Sequence, residues 1–223
     1  GLDQNEILQA AYGDLVAELG RTGAGFFTAG SPYANDAGMA VLTGKRDLAL
    51  TRKLVTESGY KGEEVVIMAP TDQAVLYATC QVVADYFKKA GLNVKLDSMD
   101  WGTLVARRAK KEPASQGGWN VFCTTWAGLA TANPGSSQIL RGTGQNAWFG
   151  WPTMPKMEAL RDAWFDAPNL AAQQPICRDM QTLAFEEVPV LPTGMFFSPT
   201  AYRANLTGMI KSGTVLMWGV KRV

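Results

Sequence analysis

Histidine is absent from the 223 residues. That excludes Ser-His-Asp and Cys-His nucleophile systems in their usual form, and zinc sites built on imidazole. Cysteine is scarce: Cys80, Cys123 and Cys177 lie far apart and form no CxxC pair, so a structural metal has no ligand set. Two readings stay open for these residues. Either one disulfide leaves one thiol over, with three pairings to choose from, or all three are small buried side chains. An excess of charge is missing too: 21 basic against 20 acidic residues leave a formal net charge of +1. Nothing in that balance attracts nucleic acid or an anionic membrane. No apolar run approaches the ~20 residues needed to cross a bilayer. The opening GLDQNEILQA is not a signal peptide, so in an exported protein the targeting segment is expected to have been removed or to lie upstream. Phosphate-cradling loops are lacking as well. Gly23, Gly25 and Gly30 fit neither GxGxxG nor GxxxxGK[ST] and read as loop glycines.

What is present is an ordinary globular composition, 47% hydrophobic and 18% charged, long enough to bury a real core in one domain with at most an appendage. The clearest organisation lies between Asp47 and Trp126. Asp47 can cap a helix carrying Leu48, Leu50, Leu54 and Val55, with Gly59 at its stop. Val65 to Met68 reads as a short strand ended by Pro70. A long helical pattern through Val75, Leu76, Val82, Val83, Tyr86 and Phe87 stops at Gly91. Leu92 to Leu96 alternates apolar and polar residues, as a half-buried strand does. Asp100 can cap a third helix bearing Trp101, Leu104 and Val105, which must finish before Pro113. Trp119 to Trp126 reads as a further strand. Strands alternating with helices in this way predict an α/β lobe with a mainly parallel or mixed sheet flanked by helices. In such a lobe ligands meet the carboxyl ends of the strands.

Beyond Trp126 the chain is dense in Gly, Pro, Asn and Thr as far as Pro155, far longer than the ~4–6 residue norm for a connection. Its Trp148, Phe149 and Trp151 argue that it is ordered. Helical patterns follow at Met157 to Phe165 and Ala171 to Phe185. Short strands are expected at Val188 to Leu191 and Met195 to Phe197, with another at Thr214 to Val220; Pro189, Pro192 and Pro199 confine the first two to edges or ends. Before Asp47 only a short helix near Ile7 to Leu15 is legible. The resulting division is an N-terminal helical and loop segment over 1–46, an α/β ligand-binding lobe over 47–204, and a tail strand over 205–223. Seven tryptophans are many for this length. Trp126, at a predicted strand end before Ala127 and Gly128, is placed to wall a pocket, where a rigid indole supplies large contact area.

Three stretches carry a resemblance: DLALTRKLVTESGYKGEEVVI from Asp47, QVVADYFKKAGLNVKL from Gln81, and the run from Trp119 through WAGLATANP and QNAWFGWPTMPKMEALRDAW to EEVPVLP. In this order, and with DQNEILQA at the start, they resemble the C-terminal half of ABC-transporter substrate-binding proteins of solute-binding family 5, the peptide, nickel and oligopeptide class. The resemblance implies a periplasmic binding protein-like lobe, outside the bacterial cytoplasm in the periplasm or at the cell surface, without cofactor or metal. It implies as partners a small-molecule or peptide ligand, an ABC permease in the membrane and an N-terminal lobe missing from this chain. The ligand-binding positions that it marks are Trp101, Arg108, Trp126, Ala127, Gly128, Leu129, Asn146 and Trp148. Leu129 falls where relatives that hold a peptide ammonium have an aspartate, so capture of a free peptide N-terminus is not expected unless Asp97 or Asp100 substitutes. Two rival classes remain: a carboxylate-dependent hydrolase or transferase using Asp97, Asp100 or Glu187, and a receptor module built for protein contacts. Convergent carboxyls would mark the first and a large exposed apolar patch the second.

Overall fold

In the computed structural model, which describes residues 1–223, four helices begin where a short polar side chain caps them. Asp3 accepts from the backbone N–H groups of Asn5 and Glu6 and starts α1 (Gln4–Tyr12), whose Ile7 and Leu8 are buried. Two short elements follow, α2 (Val16–Leu19) and β1 (Gly20–Arg21), then α3 (Ala40–Thr43). Asp47 accepts from Leu50 N at 2.8 Å and opens α4 (Leu48–Glu57). Gly59, at φ +80°, makes the left-handed turn that ends it.

The centre of the fold is β2 (Glu64–Pro70), followed by α5 (Ala74–Lys89), β3 (Asn93–Met99), α6 (Trp101–Arg107) and β4 (Val121–Phe122). The strands lie in the order β3-β2-β4, all parallel, with Val65 opposite Val94 and Ile67 opposite Val121. Val66 to Pro70 are buried without a break because β2 is covered on both faces, which explains its continuous apolar run. On α5 the buried residues Leu76, Thr79, Cys80, Val83 and Ala84 recur at helical spacing, and they press on Ile67 and Ala69. The connection through α5 steps to one side of β2, and the connection through α6 returns past it to the other. The strand order therefore reverses beside β2, where open parallel sheets place their ligand crevice.

The expected strand over Trp119 to Trp126 is paired only at Val121 and Phe122. Upstream, the side chain of Asn120 takes the N–H of Val66 at 2.8 Å, so an amide replaces a ladder bond there.

The second half rests on α7 (Pro155–Asp166) and α8 (Leu170–Glu187), packed together over Phe26, Phe27, Leu140, Met154 and Trp164. The long loop is held on this core by side chains of α7. Arg161, buried, donates to the carbonyls of Pro134 and Ser137, and Glu158 accepts from Gly142 N. Three further strands are short: β5 (Met195–Phe196) pairs antiparallel with β1, and β6 (Leu206–Thr207) pairs with β7 (Lys221–Arg222). The strands expected at Val188 to Leu191 and Thr214 to Val220 do not form. The first fails because Val188 takes φ +50° as the C-terminal stop of α8, between that helix and Pro189. In the tail, pairing is confined to its two ends, Leu206–Thr207 with Lys221–Arg222.

A β-branched residue in the left-handed region is strained by about 1–2 kcal/mol. Val188 is half-exposed and gives up little packing. Val188→Gly is therefore expected to stabilise the chain by about 0.5–1 kcal/mol, after the added flexibility of glycine in the unfolded chain is subtracted. Urea unfolding measures it, and a loss of stability would contradict the assignment of strain.

Candidate functional site

The carboxyl ends of β3 and β4 each deliver a tryptophan. Trp101 opens α6 immediately after β3, where Asp100 caps the helix through Thr103 N at 3.0 Å and Asp72 accepts from Trp101 N at 2.8 Å. Trp126 follows β4. Its ring lies 5.0 Å from that of Trp148, which the long loop brings back over the sheet edge. Phe122, pointing away from α5, meets Trp119, Trp148 and Phe149 at 4.9–6.5 Å. Trp151 closes the group against Trp119 and Phe149. It does so at φ +49°, a left-handed backbone set by the turn bond from its N–H to the Trp148 carbonyl. All these rings are half-buried.

Arg108, the residue that ends α6, lies inside this aromatic group. Its guanidinium carbon is 4.5 Å from the centroid of Phe149 and 5.9 Å from those of Trp101 and Trp148. No carboxylate pairs with it, its buried Nε finds no acceptor in the protein, and burial pulls its pKa down. Its neighbour Arg107 is the contrast. That side chain bonds Asp97 Oδ2 at 2.6 Å and donates to the carbonyls of Gly117 and Gly118, pinning the α6–β4 connection to β3. One arginine is spent on the fold; the other holds a positive charge with aromatic faces and no counter-ion. The indole Nε1 of Trp126 is likewise buried without an acceptor. Two donors in one aromatic setting suit a ligand that brings acceptor oxygens.

Of the positions marked in the sequence, the structure brings Trp101, Arg108, Trp126 and Trp148 together through these ring contacts. Ala127, Gly128 and Leu129 form the turn that follows Trp126, with the Gly128 carbonyl taken by Thr28 Oγ1 at 2.7 Å. Leu129 is exposed, and its carbonyl is taken by Ser136. Asn146 ends a single 3-10 turn and is exposed, with no side-chain bond into the aromatic group. Phe149 and Phe122, which lie closest to the arginine and to the tryptophans, were not singled out; the WFGW run around Phe149 was the available signal. The acids weighed for catalysis do not converge. Asp97 is tied to Arg107. Asp100 serves as a helix cap, with the Thr103 hydrogen bonds holding its pKa low. Glu187 is exposed at the far end of α8.

The comparisons with known proteins agree on a family. The profile of the bacterial extracellular solute-binding proteins, family 5 Middle, matches residues 1–148. The protein "Probable peptide ABC transporter periplasmic-binding protein y4tO" of Sinorhizobium fredii is 34% identical over 99% of the chain, which spans 41% of that relative's length. Among solved structures, the ABC transporter substrate-binding protein CtaP of Listeria monocytogenes superposes with a TM-score of 0.71 at 18% identity, over 87% of this chain and 38% of that one. NikA of Staphylococcus aureus, solved with Ni(L-His)2, gives 0.69 at 13% identity over 99% and 47%. The dipeptide-binding protein of Pseudoalteromonas sp. SM9913, solved with Met-Leu, gives 0.65 at 16% identity over 99% and 45%. The chain thus spans less than half the length of these relatives. The chain belongs to the bacterial extracellular solute-binding proteins of family 5.

Proposed function

We propose that this chain is the ligand-capturing lobe of the substrate-binding component of an ABC uptake transporter for peptides or a related small solute. Its work is non-catalytic: the lobe closes with a second one over the ligand, and the closed form docks on a permease in the bacterial membrane, from the periplasm or the cell surface. The observation that carries this reading is Arg108, a cation held among Phe149, Trp101 and Trp148 with no counter-ion of its own. Such a charge is costly to leave unpaired, and a ligand carboxylate relieves it. The ligand-binding lobe covers 47–204, with 1–46 packed beside it and 205–223 returning to the second lobe. The exposure of Ile210, Val215, Met217 and Trp218 in that tail supports this arrangement, because a second lobe would cover them. The candidate wall consists of Trp101, Arg108, Trp126, Ala127, Gly128, Leu129, Asn146 and Trp148. It needs no cofactor, metal or nucleic acid.

One wall supplies only part of a ligand's contacts and leaves it wet. Titration calorimetry with a peptide and solute library is therefore expected to show sub-micromolar binding to the two-lobed protein and none to this chain alone. Sub-micromolar affinity of the lone chain would overturn the two-lobed reading. Leu129→Asp in the two-lobed protein is expected to raise affinity for a free peptide about tenfold relative to its N-acetylated form, since a charge-assisted hydrogen bond contributes about 1.5–3 kcal/mol. A wild-type protein that already prefers the free amine by tenfold would show that another acid does this work.

A further inference from the structure

Two of the three thiols meet across the sheet. Pairing of β4 with β2 sets Val121 opposite Ile67 and Phe122 opposite Met68, so Cys123 continues beside Ala69. Side chains alternate along a strand. Ile67 and Ala69 face α5, hence Val121 and Cys123 face it too, and both pack on the cluster that contains Cys80. Cys80 stands on the inner face of α5, directly over β2: its Sγ donates to the Met68 carbonyl at 3.5 Å. Small neighbours, Ala69 below and Ala84 one turn along the helix, let α5 sit close to the strands.

We propose that Cys80 and Cys123 are a disulfide-forming pair that ties α5 to β4, while Cys177 remains a thiol. The reaction is exchange with an external disulfide oxidant. The thiolate of one cysteine attacks the oxidant's S–S bond and releases one thiol. The second cysteine then loses its proton and displaces the other half, leaving the Cys80–Cys123 bond and two thiols of reduced oxidant. Electrons and protons both leave with the oxidant. The neighbouring Cys123 draws the pKa of the Cys80 thiol down, while the neighbouring Cys80, together with burial, pushes that of Cys123 well up. Cys177 lies in the other core, among Trp164 and Met180, where burial pushes it up to about 12 and no second cysteine packs beside it. The tie would fasten the strand that leads into Trp126 to the helix behind it, stiffening the floor of the candidate site.

The test uses this 223-residue chain, equilibrated with oxidised or reduced glutathione in mild urea so that both thiols are reached, then returned to buffer. Alkylation under denaturing conditions and peptide mass spectrometry are expected to give one free thiol at Cys177 and an 80–123 cross-link after oxidation, and three free thiols after reduction. A closed loop of about forty residues should raise Tm by about 10 °C over the reduced form. Cys177→Ser should keep both the cross-link and that gap; Cys80→Ser and Cys123→Ser should abolish both. Three free thiols after oxidation, a cross-link through Cys177, or an 80–123 bond that lowers Tm would each overturn the proposal.

Discussion

Arg108→Ala is expected to lower the affinity of the two-lobed protein for a carboxylate ligand by about 10- to 100-fold, which corresponds to about 1.5–3 kcal/mol for a charge-assisted bond. The magnitude follows from the surroundings. Phe149, Trp101 and Trp148 partly shield the guanidinium without neutralising it, and no side chain competes for its donors. Arg108→Lys should recover only part of the loss, because an ammonium lacks the planar fork that bonds a carboxylate twice and stacks on a ring. Titration calorimetry on wild type and both variants makes the comparison. Since Arg108 joins no ion pair, the variants should keep the wild-type unfolding free energy, read by urea titration, within about 2 kcal/mol, the scale of its three cation–π contacts. Unchanged affinity in Arg108→Ala would remove the main support for an anionic ligand. An equal fall for uncharged ligands would assign the residue to packing.

Gln181→Leu should destabilise the chain by about 3–5 kcal/mol, the range seen when a buried polar network loses a central member. Gln181 is fully buried on α8. Its Oε1 accepts from Phe26 N at 3.2 Å, while Nε2 bonds the carbonyls of Asn35 and Ala37 and the Asn35 side chain at 2.9–3.0 Å. One side chain thus satisfies the backbone of an irregular loop that has no sheet or helix to do it. Leucine fills the space and leaves the Phe26 N–H and two carbonyls without partners. Gly25 adds a steric reason, since a Cβ there would come within 2.4 Å of the glutamine oxygen. A fall in Tm of about 10 °C or more is the expected reading for a chain of this length. A change below 1 kcal/mol would show that the loop is held from elsewhere.

The elements legible in advance were those whose causes are local. Asp47, Asp100 and Gly59 do in the structure what their chemistry announced, because a cap or a left-handed turn involves only residues three or four apart. That β2, β3 and β4 share one sheet was legible for a related reason. Strands joined by helices can return to one sheet in few ways. Val188 to Leu191 and Thr214 to Val220 were misread because their apolar residues resemble strands, while Val188 was needed as a helix stop and the tail pairs only at its two ends. A two-residue pairing has no periodicity to detect.

The candidate site divides along the same line. Sequence alone marked Trp101, Arg108, Trp126 and Trp148, an α/β lobe, and a chain without the nucleophile chemistry that needs histidine. It could not say that Arg107 takes Asp97 while Arg108 goes unpaired among rings, or that Phe149 is the face nearest its charge. Adjacent arginines are indistinguishable until the turn that ends α6 points them in different directions. Nor could it choose among three cysteine pairings; the β2–β4 register and the inner face of α5 single out Cys80 with Cys123. Local propensity operates over a few residues, whereas these meetings join side chains ten to forty positions apart, and only the packed chain brings such positions within reach of one another.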